Sequence, residues 1–356
     1  MPIDIPGLRL ANQRISQSAF QTPAELVGWL GAVQAQDYAG AKWALGLRLP
    51  GSSEAAIEQA FEAGAILRTH VLRPTWHFVT PADIRWLLAL TAPRVHAFNA
   101  SYYRKMELDG PVFARSEAAL EKSLRDGKQL TRPELKNVLQ QAGIPTDELR
   151  FTLLIMHAEL EGILCSGPRR GKQFTYALLE ERLPPARSLD RDEALSELAL
   201  RYFSSHGPAA VADFTWWSGL TTADALAGLE HIKSRLEHAD LDGRTCWFAQ
   251  PDPATKPVAP GAFLLPNYDE YTVAYADRSA ISIGVDLKAL DERSQGLLNN
   301  TIILDGQVAG TWRRSITKQA VKIELRPYRP LSAAGTAAVE QSAQRYAAFL
   351  DLPLLL

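Results

Sequence analysis

Apolar residues at helical spacing, broken by short alternating runs, divide the chain into recurring blocks. Thr22-Pro23-Ala24-Glu25 opens a helix, with Thr as cap and Pro in the first turn. Leu26, Trp29, Leu30 and Val33 follow on one face. The pattern predicts further helices over about 41–47 and 53–63, the latter stopped by Gly64. Two short strands come next, residues 66–71 and 75–79, around a tight turn at Arg73-Pro74. Thr80-Pro81 then repeats the helix-start signal. Helices followed by a two-stranded hairpin are the parts of a winged helix.

The same parts recur. Leu130-Thr131-Arg132-Pro133-Glu134 caps a helix to about Ala142, and Thr146-Asp147-Glu148 opens a longer one to about Glu161. Strands over 162–166 and 173–178 flank the turn Gly167-Pro168-Arg169-Arg170-Gly171-Lys172. A linker at 183–187 leads to a third round: helices over 190–206, 208–218 and 221–232, then a hairpin turning at Asp242-Gly243. After a loop at 251–257, strand-like runs appear at 262–265, 271–274, 281–285, 300–304, 308–313 and 320–325, and a last helix over 333–350. Asp305-Gly306 is a two-residue hairpin signal. The predicted class is α+β: three tandem winged-helix motifs, then a small C-terminal β-barrel or curled sheet and a terminal helix. The expected divisions are 1–110, 111–185, 186–250 and 251–356.

Composition narrows the class little. The 356 residues are 46% hydrophobic and 22% charged, ordinary for a globular protein of more than one folding unit. The N-terminus lacks the apolar run of a usual signal peptide, and no stretch reaches 18 uninterrupted apolar residues. Cys165 and Cys246 stand far apart, which argues against a disulfide framework or a zinc site and fits a reducing cytoplasm. No P-loop, Rossmann loop or His/Cys metal cluster is apparent, so neither cofactor nor metal is expected. A net charge of −2 counts against a protein that simply coats nucleic acid. Charge is uneven, however. Residues 66–105 carry six basic side chains against Asp83, and residues 313–329 six against Glu324, which suggests one positive face.

Within this scaffold, Val33-Gln34-Ala35-Gln36-Asp37-Tyr38 stands out. Residues i and i+2 point to nearly opposite sides of a helix, but both can face one way in an extended or turn segment. A glutamine pair is therefore most useful where a helix gives out, and the following Asp37-Tyr38-Ala39-Gly40 reads as such a place. The plain alternative is solvated surface.

Five stretches together resemble the AlkZ-like winged-helix DNA glycosylases of the Gln-x-Gln type: residues 30–37, Leu72-Arg73-Pro74-Thr75-Trp76-His77-Phe78-Val79, Leu264-Leu265-Pro266-Asn267-Tyr268-Asp269-Glu270-Tyr271, Asp277-Arg278, and residues 305–314 ending in Trp312-Arg313-Arg314. The likeness spans nearly the whole chain in order. It implies three tandem winged helices and a C-terminal barrel around a DNA groove, excision of bulky N7-alkylated purines, and an active-site pair matched here by Gln34 and Gln36. Two departures stand out. Pro74 replaces an expected glycine, and Asn267-Tyr268 replaces an acidic-Phe pairing.

Amides suit that chemistry. An N7-alkylated guanine already carries positive charge, so its departure needs little acid catalysis. An amide oxygen can accept from a water under C1′, and an amide NH₂ can donate to the sugar-phosphate, but an amide cannot act as a strong base. Asp37 reads as a helix cap, with a role as the true base as the alternative. Arg73 and His77, on the first hairpin, are candidate phosphate contacts, with a packed edge residue as the alternative for His77. Arg169, Arg170 and Lys172 at the second hairpin tip reach phosphates or serve solubility. Trp312 stacks on a base while Arg313 and Arg314 hold phosphates, or it is a core residue. Asp269 is expected to pair with Arg278.

The sequence thus predicts a monomeric, monofunctional hydrolase of N-glycosidic bonds in base excision repair. It would act on double-stranded DNA with alkylated bases, in the cytoplasm at the nucleoid, without a membrane. The alternatives are a non-catalytic winged-helix DNA-binding protein, as regulator or damage binder, and a structural protein whose winged helices bind another protein.

Overall fold

The computed structural model describes residues 3–17, 19–250, 261–285 and 299–355. The chain forms two compact units: Met1–Glu58 with Ser196–Trp217 and Thr221–Leu356, and Gln59–Leu195 with Ser218–Leu220.

The Gln59–Leu195 unit opens on the first hairpin, Leu67–Val71 and Arg73–Val79. The turn lies at Leu72, whose φ is +63°, rather than at Arg73-Pro74. Val71 pairs with Arg73 but His70 with Trp76, so Pro74 and Thr75 form a bulge in the return strand. A bulge tolerates a residue without an N–H, which is why proline is accommodated inside this strand. The long helix Ile84–Lys105 follows.

Next comes the element order of a winged helix. Helix Gly110–Leu124, strand Leu130–Thr131, helices Arg132–Gln141 and Glu148–Leu160, and strands Leu164–Ser166 and Thr175–Leu178 appear in that sequence. The central strand of the three is Thr175–Leu178. Local chemistry explains the helix starts. Asp109 and Asp147 accept from the backbone N–H groups of Val112 and Arg150, and Thr131 and Glu134 form a reciprocal capping box. Leu120, Leu124, Leu135, Leu139, Leu154 and Leu164 fill the space between the helices and the sheet.

In the other unit, helix Pro23–Leu30 starts from a Thr22/Glu25 capping box. Gly31, at φ +80°, ends it, so the helix stops before the glutamine pair. Helices Tyr38–Arg48, Thr222–Ile232 and Ala333–Phe349 lie close to their expected positions, as do Arg191–His206 and Val211–Ser218, which belong to this unit from Ser196 onward and as far as Trp217. The third hairpin, Glu237–Leu241 and Arg244–Phe248, turns through Asp242 and Gly243, both at positive φ, as a two-residue turn requires.

The C-terminal sheet departs from the barrel expectation. Its strands run in the order Leu354–Leu355, Val321–Pro327, Gln307–Ile316, Thr301–Leu304, Ala262–Leu265, and among the described residues the sheet is open. Residues 271–274 are not a strand: Glu270–Val273 is a helical turn capped by Asp269, and Ser279–Ile281 is a turn of 3₁₀ helix. The carboxylate of Asp269 accepts from the N–H of Tyr271, a local bond that competes with strand formation. The expected 251–257 loop lies outside the described residues.

Helix Ala333–Phe349 covers the sheet. Trp43 and Trp312 donate their indole N–H groups to the carbonyls of Leu264 and Leu265, at 2.6 and 2.8 Å, and both meet Tyr346 edge-on. Phe349 lies over Gly46 so closely that a Cβ there would sit 2.3 Å from the ring.

Candidate active site

Gln34 and Gln36 occupy an extended link between two helices. Val33–Gln34 is a short strand, and Asp37 caps helix Tyr38–Arg48 by accepting from Gly40 N–H at 3.0 Å. Gln34 is 8% exposed, whereas Gln36 lies open to solvent. The link is fastened at both ends. The backbone N–H of Gln34 donates to Glu270 Oε1 at 2.7 Å. Three residues on, Asp37 Oδ2 lies 3.6 Å from a guanidinium nitrogen of Arg314 on strand Gln307–Ile316. Asp37 is thus occupied as a cap and as an ionic partner.

Behind the link stands a buried polar network. Glu270, 1% exposed, also accepts from Trp217 Nε1 at 2.9 Å, and its Oε2 lies 3.5 Å from His206 Nε2. Burial is the largest influence on His206 and holds its pKa below the usual 6.5, against the opposing pull of Glu270. Asp269 pairs with Arg48, not with Arg278, which instead donates to the Thr272 carbonyl. The Arg48–Asp269 contact is bidentate, both bonds 2.8 Å. Arg48 also donates to Ala44 O, Gln13 O and Gln13 Oε1, so all five of its N–H groups are used. Gln13 continues the chain through the Tyr275 hydroxyl to the His206 carbonyl. Because Asp269 caps the turn that begins at Glu270, the ion pair sets where the Glu270 carboxylate points.

The remaining candidates divide by environment. Trp312 is 1% exposed and bonded within the core, so packing, not stacking on a base, accounts for it. His77 is fully buried, with Nδ1 3.0 Å from the Thr75 carbonyl, and its burial likewise leaves no surface for a phosphate. Arg313 and Arg314 point to opposite sheet faces, as successive strand residues must. Arg313 is exposed, while Arg314 is half-buried and reaches Asp37. Arg73 is half-buried on the first hairpin. At the second hairpin tip, Lys172 is exposed and Arg169 lies over the Phe174 ring. Arg170 folds back to Glu134 at 2.8 Å and to the Gln129 carbonyl. Hydrogen bonds from the Thr131 backbone and hydroxyl, then from Arg170, hold the Glu134 carboxyl down at about 2.

Sequence reasoning gives Glu270, His206 and Arg48 no role at the site. The motif containing Asp269-Glu270 was visible, but partners more than 200 positions away leave no spacing signal. Cys165 and Cys246 are both buried thiols. No helix among the described residues is long and apolar enough to cross a membrane.

Comparison with known proteins bears on the fold and the family. The curated "Interstrand DNA cross-link repair glycosylase" of Streptomyces sahachiroi is 23% identical over 320 residues, covering 85% of each chain. The solved structure of Streptomyces sahachiroi DNA glycosylase AlkZ superposes with a TM-score of 0.78 at 22% identity, over 99% of this chain and 98% of that one. The sequence pattern described as "DNA glycosylase AlkZ-like" matches residues 27–349, most of the chain. The chain therefore belongs to the AlkZ-like DNA glycosylase family.

Proposed function

We propose that this glycosylase releases cationic N7-alkylated purines from double-stranded DNA, with Gln34 and Gln36 orienting the attacking water. The observation that carries the reading is the clamped link: Gln36 reaches solvent from a segment held by Glu270 on one side and by Arg314 on the other. Such fixing is what a catalyst that works by position requires.

The chemistry balances without a strong acid or base. As the bond from C1′ to N9 lengthens, its electron pair moves into the cationic purine and neutralises it. The sugar acquires oxocarbenium character, and the water oxygen bonds to C1′. The amide oxygens accept from that water and aim its lone pair, and the surplus proton passes to solvent. Nearby amide dipoles stabilise the developing charge. Positioning of this kind supplies several kcal/mol, where each ~1.4 kcal/mol is about tenfold in rate.

Arg73, Arg169, Arg170, Lys172, Arg313 and Arg314 are proposed as the DNA-contacting cations. Their contribution is to affinity and register, with a salt-dependent slope. A lesion panel tests substrate class. N7-methylguanine should be released as free base, whereas uracil and hypoxanthine, neutral bases that need acid assistance, should not. Equal release of neutral and cationic lesions would overturn the reading. Cross-linked duplex belongs in the panel because the Streptomyces sahachiroi relative carries cross-link repair in its name. Binding to lesion DNA without release of any base would favour the regulator or damage-binder alternative.

A further inference from the structure

We propose that His96, His157 and Glu161 form a binding site for a transition-metal cation of the zinc type, independent of the glycosylase site. All three lie in the Gln59–Leu195 unit: His96 on helix Ile84–Lys105, His157 on helix Glu148–Leu160, and Glu161 just past that helix's end. One donor atom from each falls within 4.8 Å of the others. His157 and Glu161 are one helical turn apart and so share a face.

The arrangement around the rings points to a ligand. His96 Nε2 is buried and lies 2.9 Å from Glu161 Oε1, so an imidazole and a carboxylate already meet in the cluster. The other nitrogen of each ring is already engaged. His96 Nδ1 lies 3.0 Å from the Tyr103 hydroxyl, and His157 Nδ1 lies 2.8 Å from Glu117 Oε1. That leaves Nε2 of both rings for a metal, with a hydroxyl and a carboxylate orienting them from behind. Outer partners of this kind usually accompany metal-bound imidazoles and set the tautomer. Phe113 stacks on His157 at 3.6 Å and 13°, which holds the plane of that ring.

The donor set selects the class of cation. Two imidazoles and one carboxylate suit zinc, cobalt or nickel rather than magnesium or calcium, which take oxygen ligands. Zinc bonds of about 2.0–2.1 Å place tetrahedral ligands roughly 3.4 Å apart, so binding needs an adjustment in which the 2.9 Å His96–Glu161 contact opens and the wider spacings, up to 4.8 Å, close. Glu161, with its side chain 47% exposed, is free to supply it. His96 and Glu161 also line a cavity of about 410 Å³, which gives room for water as a fourth ligand. A bound cation would tie helix Ile84–Lys105 to the end of helix Glu148–Leu160. The sequence hid the site because one histidine comes from a distant helix.

Metal-stripped full-length protein titrated with Zn²⁺ tests the proposal by calorimetry and thermal melting. The expected result is one saturable site per chain and a rise in thermal midpoint of about 5 °C with excess zinc, since the ligand binds only the folded state. Mg²⁺ should leave the midpoint unchanged. His157→Asn and Glu161→Gln should each weaken binding roughly tenfold or more. Glu161→Gln alters a part-exposed side chain and should fold normally, so a loss of zinc response there reports on ligation. Absence of saturable binding in the unsubstituted protein, an equal response to Mg²⁺, or undiminished affinity in Glu161→Gln would each overturn the assignment.

Discussion

The backbone N–H of Gln34 donates at 2.7 Å to Oε1 of Glu270, a carboxylate 236 positions away that is itself 1% exposed. The same carboxylate accepts from Trp217, so two donors converge on two acceptor oxygens. An amide in its place has one oxygen and one NH₂. Glu270→Gln must therefore set a donor against a donor. The expected loss is about 1–3 kcal/mol of stability, together with a lower base-release rate as the link loosens. Trp217→Phe removes one donor, so adding it to Glu270→Gln should cost less than the sum of the single changes. A denaturation double-mutant cycle reads this directly, and strict additivity would show that the carboxylate is not shared.

The Arg48–Asp269 pair makes a larger prediction. Both side chains are about 1% exposed and every guanidinium N–H is used. Arg48→Met leaves a carboxylate buried without its partner, and Asp269→Asn leaves the guanidinium short of its counter-charge. Each should cost about 3–5 kcal/mol, read as a lower urea midpoint. Changing both residues to apolar ones should recover part of that loss, because neither charge is then stranded.

His206 gives the fold a defined response to acid. Burial depresses its folded-state pKa below 6.5, so the unfolded chain takes up the proton first. The stability this neutral ring contributes is present above pH 6.5. It is lost as pH falls from 6.5 toward and through the depressed folded value. Thermal midpoints should drop between pH 7 and pH 5, and His206→Gln should flatten that drop while lowering the midpoint at pH 7. An unchanged slope in the variant would assign the acid response to other groups.

Gly46 tests the packing of the terminal helix. A methyl group there would lie 2.3 Å from the Phe349 ring. Gly46→Ala should therefore destabilise by about 1–3 kcal/mol despite alanine's better helix propensity. Phe349→Leu should restore part of the loss in the double variant, as measured by chemical denaturation.

Much of the architecture was legible in local signals. Thr22-Pro23 and Thr131 announced their helices because a cap and a first-turn residue act within four positions. Asp242-Gly243 announced its hairpin because two positive φ values demand few residue types. The C-terminal region was less legible. Residues 271–274 have strand-forming side chains, but Asp269 caps them into a turn, and the bonding that anchors that turn comes from Arg48. Burial was harder still. His77 and Trp312 carry residue types suited to DNA contact, and only the fold shows them packed inside. Gln34 and Gln36 were visible as a pair, but the carboxylate that positions the first of them was not.

The central claim is that two amides, held in place and unable to titrate, suffice to hydrolyse an activated glycosidic bond. Single-turnover release of free base from an N7-methylguanine duplex tests it most directly, comparing the unsubstituted protein with Gln34→Ala, Gln36→Ala and the double variant. The account predicts a fall of roughly 10–1,000-fold for each single change, the scale on which positioning groups act, and less than the product of the two for the double. Thermal midpoints should stay near that of the unsubstituted protein for Gln36→Ala, whose side chain is exposed. Undiminished release by the folded double variant would contradict the account.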